Sequence, residues 1–200
     1  MKVTRVLLAA TDNPLYWQFW NPISRVYKEN FGIQPTLIWL GNQSDIERLG
    51  LSEEWGNIIV QAPHPKHHIG WQAAWAIFWF MKLYPDDMFC TMGIDQVPLS
   101  KLHLIDGLED AYVMLVDDGY LPSTWERAGG TSPTSFHFVK GSLANKVYQF
   151  DESFHSEIEK LSKSGIKPYY DDGETKWGID ESYSSEMLRR YRDLTGKVIS

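Results

Sequence analysis

Apolar residues along this chain fall into short blocks separated by polar, Gly- and Pro-bearing stretches. VTRVLLAA (Val3 to Ala10), PTLIWLG (Pro35 to Gly41), NIIVQ (Asn57 to Gln61) and MFCTM (Met88 to Met92) have the length and β-branched or aromatic content of buried strands. AYVMLV (Ala111 to Val116) and FHFVKG (Phe136 to Gly141) add a fifth and a sixth. Between the first two, Thr11-Asp12-Asn13-Pro14 supplies cap-forming side chains and a proline suited to a first helical turn. The helix predicted from there to Phe31 bends or restarts at Pro22 and stops at Gly32. Trp71 to Leu83 is apolar almost all round, which predicts a buried central helix. Further helices are expected from Ser100, from Ser142 toward Phe150, from an Asp151 cap through Lys163, and from near Glu181 to Leu194, with a loop at Trp125 to Ser135. Strands alternating with helices predict one α/β domain over residues 1–200, with a mostly parallel mixed sheet of about six strands flanked by helices.

Composition narrows the classes. The chain of 200 residues carries a net charge of −7 and no basic run, which argues against nucleic-acid or anionic-membrane binding. No apolar run reaches the roughly 18 residues of a membrane span, and the opening MKVTRVLLAA lacks a signal-peptide pattern. The single cysteine, Cys90, lies in a predicted strand, so no disulfide framework exists and a reducing, cytoplasmic setting is expected.

Ligands of open parallel sheets bind outside the carboxyl ends of the strands. Three such ends are polar: Thr11-Asp12, Gly41-Asn42, and Asp95 in MGIDQVP, where Pro98 ends the pairing. Asp95 reads either as a turn former or as the floor of a site. Gln72, an amide in an apolar helix, requires a specific partner. His64, His67 and His68 in HPKHH have a metal-like spacing, but Pro65 denies them a helix to align on, so a solvated loop is the favoured reading. His137 alternates with Phe136 and Phe138 and is equally a satisfied sheet histidine or a ligand. Asp180 and Glu181 suit a helix N-terminus or acid–base chemistry. Trp71, Trp75 and Trp79 have the spacing of core residues, whereas Trp125 and Trp177 in loops are better placed to stack on a sugar.

ATDN after the first strand, the helix WQAAWAIFWFMKLYP and the strand end MGIDQVPLSK together resemble nucleotide-sugar glycosyltransferases of the GT-A fold. They are similar to the small glycosyltransferase domains of large algal viruses. The likeness is strongest over Val3 to Lys101 and continues through FHFVKGS and WGIDESYSSEML. It implies a GT-A-like (Rossmann-like) domain with a nucleotide-binding half at about 1–101 and an acceptor-binding half at about 102–200. It also implies transfer of a sugar from a nucleoside diphosphate, UDP being the carrier, to a hydroxyl of a glycan or glycoprotein, with Mn²⁺ or Mg²⁺ on the diphosphate. The family's Asp-x-Asp stands here as Gly93-Ile94-Asp95, having lost its first carboxylate. The resemblance assigns Asp95 to the metal, with His137 a second ligand and His155, Asp171 and Asp172 as alternatives. It assigns Ala10, Thr11, Asp12, Tyr16, Gln72, Gly93 and Asp95 to the nucleotide, Asp180 and Glu181 to catalysis, and Trp177 and Gly178 to the acceptor. A viral origin would put the protein in host cytoplasm, and the closing LTGKVIS reads as a cut into a linker of a longer protein. Gly93 also leaves room for a non-catalytic nucleotide- or glycan-binding module. The histidines with Asp95 would suit a metal-dependent hydrolase.

Overall fold

The computed structural model describes residues 3–98, 112–114, 136–167, 179–195 and 198–199. The first four predicted strands form with trimmed ends: β1 Arg5–Ala10, β2 Thr36–Leu40, β3 Asn57–Gln61 and β4 Met88–Thr91. They are followed by β5 Tyr112–Met114, β6 His137–Lys140 and β7 Val198–Ile199. All seven belong to one sheet in the order β3-β2-β1-β4-β6-β5-β7. β1, β2, β3 and β4 are mutually parallel, β6 runs against both β4 and β5, and β7 lies parallel to β5. The sheet is therefore mixed and mostly parallel, as expected. Val198–Ile199 supplies the strand at its edge.

Every residue of β2 is buried, because helices cover both faces of the sheet. One face packs on α3 (Ile69–Phe80), α4 (Gly141–Tyr148), α5 (Phe154–Ser162) and α6 (Ile179–Thr195), with Trp75, Phe78, Tyr148 and Leu161 at its core. The other packs on α1 (Trp20–Val26) and α2 (Gln43–Arg48), around Trp20, Tyr27 and Trp39. The all-round apolarity of α3 follows from its position: it touches β1 and β2 beneath it and α5 and α6 beside it. Gly141 is required where α4 meets the end of α3. A Cβ there would fall on the Tyr84 carbonyl oxygen and lie 2.7 Å from that of Met81. No helix among the described residues is long and apolar enough to cross a membrane.

Several helix ends depart from expectation. The first helical turn begins at Trp17, not Pro14, and α1 continues into a wider turn over Tyr27–Phe31 that closes on Gly32 at φ 68°. Pro22 sits in the first turn of α1, where its missing N–H costs no bond, so it causes no break. Asp12 consequently caps nothing. Ser153, not Asp151, caps α5, its hydroxyl accepting from Ser156 N. The helix α2, absent from the sequence reading, starts on a reciprocal cap between Asn42 and Asp45. The helix expected from Ser100 and the loop from Trp125 lie outside the described residues.

Candidate functional site

β2 and β3 lie on one side of β1 and β4 on the other, so strand order reverses between β1 and β4. Such a switch point opens a crevice outside the carboxyl ends of the two strands. Its rims are the segments after Ala10 and after Thr91. Ala10 and Thr11 are buried. The Thr11 hydroxyl accepts from Asn13 N at 3.2 Å and the Asn13 side chain from Leu15 N at 3.0 Å, which folds the first rim through local side-chain bonds. Asp12 is left exposed, as is Tyr16.

The opposite rim is a tight turn. Gln96 N donates to Gly93 O at 3.1 Å, and Gly93 N donates back to the Gln96 side-chain oxygen at 2.8 Å. Asp95 occupies the exposed tip of this turn, and its carboxylate has no hydrogen bond or ion pair with a described residue. It is both a turn residue and a carboxylate at the switch point. Gly93 permits its position, since a Cβ at 93 would lie 2.7 Å from Asp95 Oδ1. Leu15 at 68% exposure, Val97 at 52% and Tyr16 at 38% are three of the five large exposed hydrophobics among the described residues. All three sit on these rims, as apolar contacts for a ligand would.

Gln72 is not turned toward that crevice. Its Oε1 accepts from His64 N at 2.7 Å, and its Nε2 donates to the carbonyls of His64 at 3.1 Å and His67 at 2.8 Å. The partner that its burial requires is thus the loop just upstream, and the nucleotide contact expected of it is replaced by a clamp on HPKHH. The loop is only partly solvated: Pro65, Lys66 and His68 are exposed, but His64 is buried, and its ring lies 4.8 Å from that of His67 and 5.2 Å from that of His155. Glu159 of α5 reaches the pair, with Oε1 3.2 Å from His64 Nε2 and 3.5 Å from His67 Nε2. Burial and the neighbouring His67 hold the His64 pKa below its ordinary value. Lys163, bonded to Glu159, holds that carboxyl low. Among the described residues these three form a group that could hold a metal, and Asp95 does not belong to it.

His137 is likewise committed elsewhere. It is fully buried, its Nδ1 lies 2.7 Å from the Tyr112 hydroxyl, and its ring meets Phe78 edge-on. The chain continues from Tyr112 to Tyr148 at 2.8 Å and on to Ser184 of α6 at 2.9 Å. That core network gives His137 a task other than the metal ligation expected of it.

Ser184 leads to the predicted catalytic pair one turn earlier. β7 is parallel to β5, which runs with β4, and only residues 196–197 separate it from α6. Helix α6 must therefore end at the amino edge of the sheet. Its 17 residues span about 25 Å at 1.5 Å each, which returns its start to the carboxyl edge. Asp180 and Glu181 thus lie at the same edge as Thr11 and Asp95. Asp180 is only 5% exposed, and burial, reinforced by the Glu181 charge, raises its pKa from 3.8 to about 7. Glu181 is raised by burial as well. Trp177, Gly178, Asp171 and Asp172 lie outside the described residues. The sequence reading missed Glu159 and the Tyr112–Tyr148–Ser184 chain, which nothing local announces.

No protein-family model and no curated protein matches the chain. Among solved structures, a crystal structure of the galactosyltransferase LgtC in complex with donor and acceptor sugar analogs has the same fold. Its TM-score is 0.58 at 14% sequence identity, over 98% of this chain and 72% of that one. The expected architecture, a GT-A-like α/β domain around a mostly parallel mixed sheet, is the one observed.

Proposed function

We propose that the chain is a glycosyltransferase that moves a sugar from a nucleoside diphosphate, UDP, to an acceptor hydroxyl. The observation that carries this reading is the uncommitted Asp95 carboxylate on the rim after β4, at the same switch point as the Thr11-Asp12 rim after β1, on a fold shared with a galactosyltransferase. Asp12 and Tyr16 are exposed where a ribose and base would lie, Tyr16 offering a stacking face. Hard oxygen ligands suit Mn²⁺ or Mg²⁺, and such ions are held by one or two carboxylates together with substrate phosphates. Asp95 fits that role. When bound, the cation offsets the charge that builds on the diphosphate as the glycosidic bond breaks.

Asp180 is the group proposed to take the acceptor proton. As the acceptor oxygen bonds to the anomeric carbon, the bond to the diphosphate breaks and the hydroxyl proton passes to the carboxylate. A carboxyl raised to about 7 is matched to proton transfer near neutrality. Glu181, beside it, helps to keep it there.

Calorimetric titration of UDP, with and without Mn²⁺, tests the reading. Affinity is expected to rise at least about tenfold with the metal, about 1.4 kcal/mol, and the gain to vanish in Asp95→Asn. UDP binding indifferent to both, in protein shown to be folded, would refute it. Gly93 in place of the first carboxylate favours a second reading, a nucleotide-binding module without catalysis. Hydrolysis of a UDP-sugar without acceptor, abolished in Asp95→Asn, would exclude the module.

A further inference from the structure

We infer that His64, His67 and Glu159 form a binding site for one zinc-class divalent cation, distinct from Asp95 and independent of the transferase reading. Four-coordinate zinc bonded at about 2.0–2.1 Å sets its ligand atoms roughly 3.3 Å apart. Glu159 Oε1 already stands 3.2 Å from His64 Nε2 and 3.5 Å from His67 Nε2, and all three atoms fall within 4.8 Å of one another. Two edges of the coordination figure are therefore in place. The third edge is at most 4.8 Å, so the two rings close it by approaching up to about 1.5 Å.

His67 Nε2 supplies the independent sign of a missing partner. The atom is buried and makes no hydrogen bond, Glu159 Oε1 standing 3.5 Å away at the limit of one. A buried polar atom without a partner is a cost to the fold, and a cation bonded there would remove it.

The surroundings are built rather than incidental. The Gln72 amide holds the backbone of both histidines, at His64 N, His64 O and His67 O, from a fully buried position on α3. The His67 ring rests against Trp71 at 5.6 Å. Lys163 Nζ lies 2.6 Å from Glu159 Oε2, which fixes the carboxylate and leaves Oε1 to the histidines. That ammonium also cancels part of the site's charge, so affinity should fall short of an all-neutral second shell. His155, whose Nε2 lies 3.1 Å from Ala62 O, walls the cluster beside His64. Binding through His64 Nε2 moves that ring's proton to Nδ1 and forfeits a long contact from Lys66 N at 3.3 Å. Two imidazoles and one carboxylate select zinc, cobalt or nickel, whereas oxygen ligands select magnesium or manganese. The occupied site would clip α5 to the loop between β3 and α3.

The test titrates Co²⁺ into tag-free, chelator-treated full chain, follows the visible bands of the bound ion, and competes it with Zn²⁺. One equivalent is expected, in a low-coordinate geometry with nitrogen ligands. His67→Ala and Glu159→Gln should each weaken Zn²⁺ by at least about tenfold, in the range of losses seen when a ligand or its support is removed. Asp95→Asn should leave it unchanged. Near-UV circular dichroism establishes that each variant is folded, and Glu159→Gln keeps the side chain's shape should His67→Ala fail. Zn²⁺ affinity that survives both substitutions, that disappears in Asp95→Asn, or that is absent in the unmodified chain would overturn the site.

Discussion

Asp180→Asn tests the reading of the candidate base through stability alone. Burial and the Glu181 charge hold the Asp180 carboxyl at about 7 in the folded chain against 3.8 for the free side chain. The sign follows from proton uptake: between those values the folded state keeps a proton that the unfolded state has released. Asp180 therefore costs nothing below about pH 4 and progressively destabilises the fold as pH rises toward 7. The full displacement, from 3.8 to about 7, corresponds to roughly 4 kcal/mol at about 1.4 kcal/mol per pH unit. Asparagine removes that cost but accepts less well from the backbone N–H groups of residues 180 and 181, a loss of about 1 kcal/mol. The variant is expected to be about 2–3 kcal/mol more stable than the parent at pH 8 and no more stable at pH 4. Urea unfolding followed by circular dichroism at pH 4, 6 and 8 measures this, and titrating groups other than Glu181, which is coupled to Asp180, cancel in the difference. An effect of Asp180→Asn that is the same at pH 4 and pH 8 would refute the claim that this carboxyl is held protonated by its surroundings.

Two further substitutions probe the packing that brings α6 and β4 to the site. Gly141→Ala sets a Cβ against the backbone oxygens of Tyr84 and Met81, which cannot rotate away, and against Phe89 at 3.0 Å; overpacking of this kind costs about 1–3 kcal/mol, measurable by urea unfolding. Tyr148→Phe deletes the central hydroxyl between Tyr112 and Ser184, and thermal unfolding should show a loss of about 1–3 kcal/mol, whereas a neutral result would mean that the buried chain of hydroxyls does not hold α6 to the sheet.

The strands were legible because each is a compact apolar run; β2 and β4 are buried throughout, whereas β3, at the sheet edge, is only half-buried. β3 matches its predicted range residue for residue, Asn57 to Gln61. Helix starts were less legible. Asn13 and Thr11 spend their side chains on the loop after β1 rather than on a cap, which moves the helix start beyond Pro14. α2 escaped notice because its QSDIER carries a single apolar residue and rests on a cap between Asn42 and Asp45. β7 was unreadable: two residues have no period, and only pairing with β5 makes them a strand.

The candidate site divides along the same physical line. Thr11, Asp12 and Asp95 could be read from the chain because a polar group at a strand's carboxyl end needs no knowledge of distant partners. Gln72 was half legible: its burial demanded a partner, but the partner is the backbone eight residues upstream rather than a ligand. His137 was indistinguishable from a ligand until Tyr112 was found beside it. Glu159 gave no signal at all, since with Lys163 four residues on it reads as an ordinary surface pair. Yet that ion pair is what aims its free oxygen at His64 and His67. The chain thus carries two separable polar centres, one of bare oxygen at the switch point and one of imidazole and carboxylate beside α3. Cations of different softness should distinguish them in the same protein: manganese acting through Asp95, and zinc through Glu159.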